Sequence, residues 1–168
     1  MTAVVPASVV RAVWLVWALI AWSGLIALLT VVFDDRLVST WAKGNPTAAP
    51  ILKERGLDGL KESSINIPHF AAVAIVLFVV FAALAGVLVA FFRAGHRWAR
   101  VVLTATVVLM AFSTLVGIRR DLPALFVVLS MGALLLSVAL LVMLWHRDTS
   151  AFLRAALPPP PEPASHPE

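Results

Sequence analysis

Residues 70–92 read FAAVAIVLFVVFAALAGVLVAFF, an unbroken run with no charged or hydrogen-bonding side chain. As a helix at 1.5 Å per residue it is about 34 Å long, enough to cross a hydrocarbon core of about 30 Å. It is too long for a strand and does not alternate. One such segment could be the central helix of a soluble protein, so its neighbours decide the matter. Downstream, 101–118 is again free of charge. Upstream, 12–33 is entered through Arg11 and left at Asp34-Asp35. The last run, 122–145, has Pro123 at its start and ends at His146-Arg147. Four apolar runs with charges only at their boundaries predict four membrane-spanning helices, because backbone groups in lipid must find their partners within the segment. No ten-residue alternating pattern of a membrane barrel is present. The expected fold class is therefore all-α, an integral membrane four-helix bundle. It comprises residues 1–148, one longer outer loop at 34–69, and a disordered Pro-rich tail at 149–168.

Composition agrees. Of the 168 residues, 61% are hydrophobic and 13% charged, whereas a soluble domain is nearer half and a quarter. Mean hydropathy is +0.98. The net charge of +4 does not imply nucleic acid, because the basic residues sit at the ends of apolar runs, where topology signals belong. There is no cysteine, which removes thiol–disulfide chemistry and Cys-ligated zinc together. The first run is read as a signal anchor, being longer than the apolar stretch of a cleaved signal peptide.

The long connection mixes Asp34, Asp35, Glu54, Asp58 and Glu62 with Arg36, Lys43, Lys53, Arg55 and Lys61. Asn45-Pro46 and Pro50 break it. Residues 51–62 suit a short amphipathic helix with Ile51, Leu52 and Leu60 inward, weakened by Gly56 and Gly59. Pro158 to Pro161 and Pro163 favour an extended tail.

With four spans, Arg11, the turn carrying Arg93, Arg97 and Arg100, and the segment with Arg147 and Arg154 share one side. The other side holds more basic residues, but they are diluted by acids or lie in the long loop. The dense basic turn therefore places both termini in the cytoplasm of a plasma-membrane protein. Trp14, Trp17, Trp98 and Trp145 collect at the same level, where indole prefers the headgroup layer.

An ionisable side chain within a span would point to proton-coupled transport, and no run contains one. Asp34, Asp35 and His69 lie near the outer mouth without any recognised ligand spacing, so neither a metal site nor a catalytic group is expected. No phosphate loop, nucleophile elbow or zinc-protease pattern occurs, and no cofactor is expected. Ala82, Gly86 and Ala90, at spacing four on the second helix, form a small-residue face that lets helices approach closely. That face serves packing within the monomer or, alternatively, contact with a second copy or a protein partner. Arg93, Arg97, Trp98 and Arg100 are the candidate site for an acidic lipid headgroup, although topology signalling needs the same residues.

The turn Gly95-His96-Arg97-Trp98-Ala99-Arg100, leading into Val101-Val102-Leu103-Thr104, resembles a Gly-x-x-Trp-Ala-Arg element joining helices two and three in uncharacterised small four-helix membrane proteins of actinobacteria. His96-Arg97 stands where Arg-Asn is expected. The layout is similar over most of the chain, including a short aromatic segment, Ser150-Ala151-Phe152, after helix four. The resemblance implies architecture and source and brings no catalytic residue with it. The function expected is that of a non-enzymatic accessory or scaffold protein whose partners are membrane lipids and neighbouring helices. The alternative is a small transporter or channel using Thr104, Thr106, Ser113, Ser130 and Ser137. Single cysteines at Ala48 and Ser165 test the orientation: an impermeant thiol reagent applied to intact cells should label only the first.

Overall fold

A computed structural model describes residues 6–118 and 123–155. Among these are seven helices and no strand: α1 (Ala7–Val32), α2 (Asp34–Gly44), α3 (Ala48–Lys61), α4 (Phe70–Arg93), α5 (Arg97–Ile118), α6 (Ala124–Leu144) and α7 (Arg147–Ala155). Helices α1, α4, α5 and α6 are each long and apolar enough to cross a membrane. They match the four expected runs. α1 and α5 also extend beyond their runs, taking in Arg11, Arg97 and Arg100. An apolar run marks only the hydrocarbon layer, whereas helical hydrogen bonding continues into the headgroups. Arg119 to Leu122 and the proline run lie outside the described residues.

The four long helices pack as a ring in the order α1, α4, α5, α6. At one end of these four helices only Ala27 and Thr30 of α1 and Phe126 and Leu129 of α6 are buried; the shared core lies at the other. It comprises Val9, Ala12, Val16, Leu19 and Ile20 of α1; Phe81, Ala85, Leu88, Val89 and Phe92 of α4; Ala99, Leu103 and Val107 of α5; and Leu140 and Leu144 of α6. Nothing in the first half of α4, residues 70–80, is buried. The bundle is therefore tight at one end and loose at the other.

Two further pieces close the ends. At the tight end α7 packs against the bundle, with Thr149 and Leu153 buried. Thr149 Oγ1 is 3.0 Å from both the Met143 carbonyl and Ser8 Oγ. It has one proton, which goes to the carbonyl, and the Ser8 hydroxyl supplies the other bond. The start of α1 and α7 thus meet at the same end. The sequence assigned residues from 149 onward to the tail, but the chain stays helical to Ala155 and packs through Thr149 and Leu153. Arg147-Asp148-Thr149 is polar enough to look like an exit from the membrane, and only the bond to Ser8 and the burial of Leu153 reveal that the segment docks.

At the loose end the loop expected over 34–69 is a pair of helices. α2 follows from its own residues: Asp34 and Asp35 in the first turn and Lys43 in the last suit the helix dipole. Leu37, Val38, Trp41 and Ala42 fall on one face. Asn45 Oδ1 accepts from the backbone N–H of Thr47 (2.9 Å) and Ala48 (3.3 Å), which turns the chain into α3. α3 bends at Gly56, whose φ of 69° is open to glycine at little cost. Val38, Ala42, Ala48 and Leu60 form a second small core, with Ile51 and Leu52 packed against it as the amphipathic pattern predicts. Lys61 Nζ bonds Asp35 Oδ1 at 2.6 Å and ties the last turn of α3 to the first of α2. This pairing raises the Lys61 pKa above its ordinary value, first through the hydrogen bond and then through the charge of Asp35. Ala48 is fully buried, so exposed Glu54 is the better labelling position on this connection.

One-ended packing sets an expectation for leucine truncation. Leu140 is wholly buried whereas Leu135 is 72% exposed on the outer face. Leu140→Ala should cost about 2 kcal/mol, the low end for a soluble core, because lipid rather than water is the alternative environment. Leu135→Ala should change stability by less than about 0.5 kcal/mol. Reversible unfolding in mixed detergent micelles measures both.

Candidate functional site

The basic turn is built on the end of α4. Its chain reversal needs Gly95, whose φ is 88°. The N–H of His96 bonds the Phe91 carbonyl (3.1 Å) and that of Gly95 bonds the Phe92 carbonyl (3.1 Å). These are the two bonds of a Schellman closure, which satisfies helix-end carbonyls and favours glycine at this position. The turn then presents an aromatic corner. The Phe91 and His96 rings meet edge to face at 5.4 Å, and Trp98 lies 4.9 Å from Phe91. His96 Nδ1 is 3.2 Å from the Phe91 carbonyl. Arg93 and Arg97 flank this corner and are exposed, as is Trp98.

Arg100 faces elsewhere. Its Cζ stacks 3.9 Å over the Trp145 ring, and Nη1 donates to Ser150 Oγ at 3.0 Å. Trp145 Nε1 in turn donates to Thr104 Oγ1 (3.1 Å), which donates to the Arg100 carbonyl (2.9 Å). The four residues expected to share a headgroup therefore divide. Arg93, Arg97 and Trp98 stand free on the outside of the turn. Arg100 joins α5, α6 and α7 through Nη1 and the face of its guanidinium, while its buried Nε has no partner among the described residues.

Of the small-residue face, Ala82 and Gly86 are half-buried and Ala90 is exposed. Nothing lies within 4 Å of where a Gly86 side chain would begin. α4 packs instead through Phe81, Ala85, Leu88, Val89 and Phe92, so the stripe sits at the margin of the helix's buried face. Asp34 and Asp35 have structural partners: Asp34 Oδ1 accepts the Ala71 N–H at 3.2 Å, in the first turn of α4, and Asp35 holds Lys61. His69 is exposed. Among the described residues no three His, Asp or Glu side chains cluster in a way that could hold a metal.

The loose end contains two cavities that no sequence pattern announced. A vestibule of about 1100 Å³ lies between α2 and the ends of α1, α4 and α6, with Trp41, Lys43, His69 and Phe70 in its wall. A chamber of about 270 Å³ lies deeper, among Trp22, Ile26, Phe78, Phe81 and Met110. Ala74 and Leu77 line both. Two glycines set the chamber walls. A Cβ at Gly132 would stand 2.6 Å from the Trp22 ring, and one at Gly24 would stand 3.1 Å from that of Phe78. Trp22 Nε1 also donates to the Leu129 carbonyl (2.9 Å), which fixes the indole. Such cross-helix pairs have no local signature; only the packing of α1 on α6 and α4 makes them.

Compared with known proteins, the chain matches no family model, no curated protein and no solved structure.

The Arg100 network should hold α7 in place. Cation–π stacking contributes about 0.5–2 kcal/mol and a hydrogen bond to a charged group about 1.5–3 kcal/mol. Arg100→Gln and Trp145→Leu should each raise amide exchange across 147–155 by about tenfold or more, while exchange over 81–92 stays unchanged. Equal protection of α7 in both variants and the parent would mean that Leu153 and Thr149 suffice.

Proposed function

We propose that this protein is a non-enzymatic accessory or scaffold protein of a plasma membrane, acting through lipid headgroups at its tight end and through neighbouring helices. The observation that carries the reading is the exposed corner of Arg93, Arg97 and Trp98, held by a rigid helix closure. Two guanidinium groups at headgroup depth attract acidic phospholipid, and the indole beside them suits the same layer. The tight end is then cytoplasmic, with both the start of α1 and α7 on that side. An actinobacterial source fits the Gly-x-x-Trp-Ala-Arg turn.

The side chains offered by the rival reading, a small transporter or channel, are mostly engaged. Thr104, Thr106, Ser113 and Ser137 each donate to the carbonyl four residues earlier in their own helix. The packed core at the tight end also stands between the cavities and the opposite surface. Substrate-dependent flux in proteoliposomes, lost when those hydroxyls become alanine, would favour the transporter instead.

Native mass spectrometry of protein extracted in mild detergent tests the lipid reading. Retained cardiolipin or phosphatidylinositol should fall in the Arg93→Gln/Arg97→Gln variant. At about 1 kcal/mol per arginine the loss is roughly thirtyfold before the cost of ordering the lipid is subtracted. Arg100→Gln, and the Arg119→Gln/Arg120→Gln pair, should matter less. Equal retention in all variants would reduce the turn to a topology signal.

A further inference from the structure

The loose end is unused by the function proposed above, and its two cavities differ in kind. The deeper chamber has its polar groups spent: Trp22 on the Leu129 carbonyl, and Ser23, Thr114 and Ser137 on carbonyls of their own helices. A cavity walled by apolar groups and satisfied donors gives water no partners and suits hydrocarbon. The vestibule wall carries Lys43 and His69 and, among its described residues, no carboxylate. Lys43 forms no ion pair among the described residues, and both it and His69 are exposed. A mouth carrying one cation, Lys43, thus leads into an apolar pocket.

The dimensions restrict the occupant. Thr30 lines the vestibule and Leu19 the far wall of the chamber. The distance between them along α1 is about 16 Å at 1.5 Å per residue. That is half of a hydrocarbon core of about 30 Å, or the depth of one leaflet, which one acyl chain spans. The chamber's 270 Å³ lies just under the usual range of small-molecule pockets, about 300–1,000 Å³, so it suits one chain and is tight for two. Its Trp22 and Phe78 walls are already seated on glycines, so the space is preformed.

We propose that the joined cavities bind a single-chain anionic amphiphile, a long-chain carboxylate. Its acyl chain occupies the chamber, and its headgroup lies between Lys43 and His69. Ala74 and the largely exposed Leu77 line both spaces and mark the neck where they adjoin. The site is at the opposite end from the basic turn, so either can fail without the other.

The test is photolabelling of the full chain in phospholipid nanodiscs with a fatty acid carrying a mid-chain diazirine, followed by peptide mapping. Labels should fall on Phe78, Phe81 and Met110, and excess unlabelled fatty acid should compete. The corresponding fatty alcohol should label these residues about fivefold less, and Lys43→Gln should lower fatty-acid labelling by about the same factor, the effect of one cation on an anionic headgroup. Ala74→Phe, which fills the neck, should abolish labelling. Lys43 lies on the exposed surface, so its variant and the alcohol decide the matter even where Ala74→Phe does not fold. Labels spread equally over the outward-facing Val76, Val80 and Leu109 would overturn the proposal. So would equal labelling by acid and alcohol, or chamber labelling just as strong from a two-chain diazirine phospholipid.

Discussion

Lipid offers a backbone no hydrogen-bond partners, and most of this structure follows from that. Each spanning segment must satisfy its own N–H and C=O groups, so each is helical. The same scarcity reaches the side chains. Thr106, Ser113, Thr114 and Ser137, set among apolar neighbours, turn their hydroxyls back to their own helix carbonyls. Helix ends, where four carbonyls or four N–H groups are left over, receive specific partners. Gly95 and His96 close α4, Asp34 reaches Ala71 at its start, and Asn45 caps the turn into α3.

The same environment removes the usual reason for helices to associate. Lipid tails are as apolar as leucine, so the spans are held by shape, dispersion and a few polar links. This explains why the core can be one-ended without exposing a liability. Leu88, Phe92, Leu103, Leu140 and Leu144 interlock at the α7 end, where the tight α4–α5 turn and the Arg100–Trp145–Thr104 links hold the helices together. At the other end the connections are longer and the first half of α4 is unburied. The outer side chains of a loose bundle still face hydrocarbon, which costs little. Space between helices at that end is therefore tolerable in a way it would not be in water.

The proposed function follows the same division. The tight end gives a corner, closed at Gly95, on which Arg93, Arg97 and Trp98 are exposed. The loose end gives volume, a rim that carries Lys43, and two short helices of which α2 borders the space. This pair of helices has its own small core at Val38, Ala42, Ala48 and Leu60 and one ion pair between Asp35 and Lys61.

Helix number and the approximate ends of the spans were legible because hydrophobic length is a local, additive property, and residues 70–92 alone nearly sufficed. The inward placement of Ile51, Leu52 and Leu60 was legible for a related reason: a half-polar segment has a phase, and the phase names the buried side. Within the spans that signal vanishes. α4 is apolar all round, so Ala82, Gly86 and Ala90 looked as fit for packing as Phe81, Ala85 and Leu88, and only the neighbouring helices chose between them. Arg93, Arg97 and Arg100 looked equivalent for the same reason, until Trp145 and Ser150 drew Arg100 away from the other two. α7 was missed because its docking depends on Ser8, at the far end of the chain. The sequence by itself determined how many times this chain can cross a membrane and where charge must stop. The tertiary structure decided which faces meet, which arginines remain free and where space is left, because in lipid those choices rest on the fit between surfaces that are chemically alike.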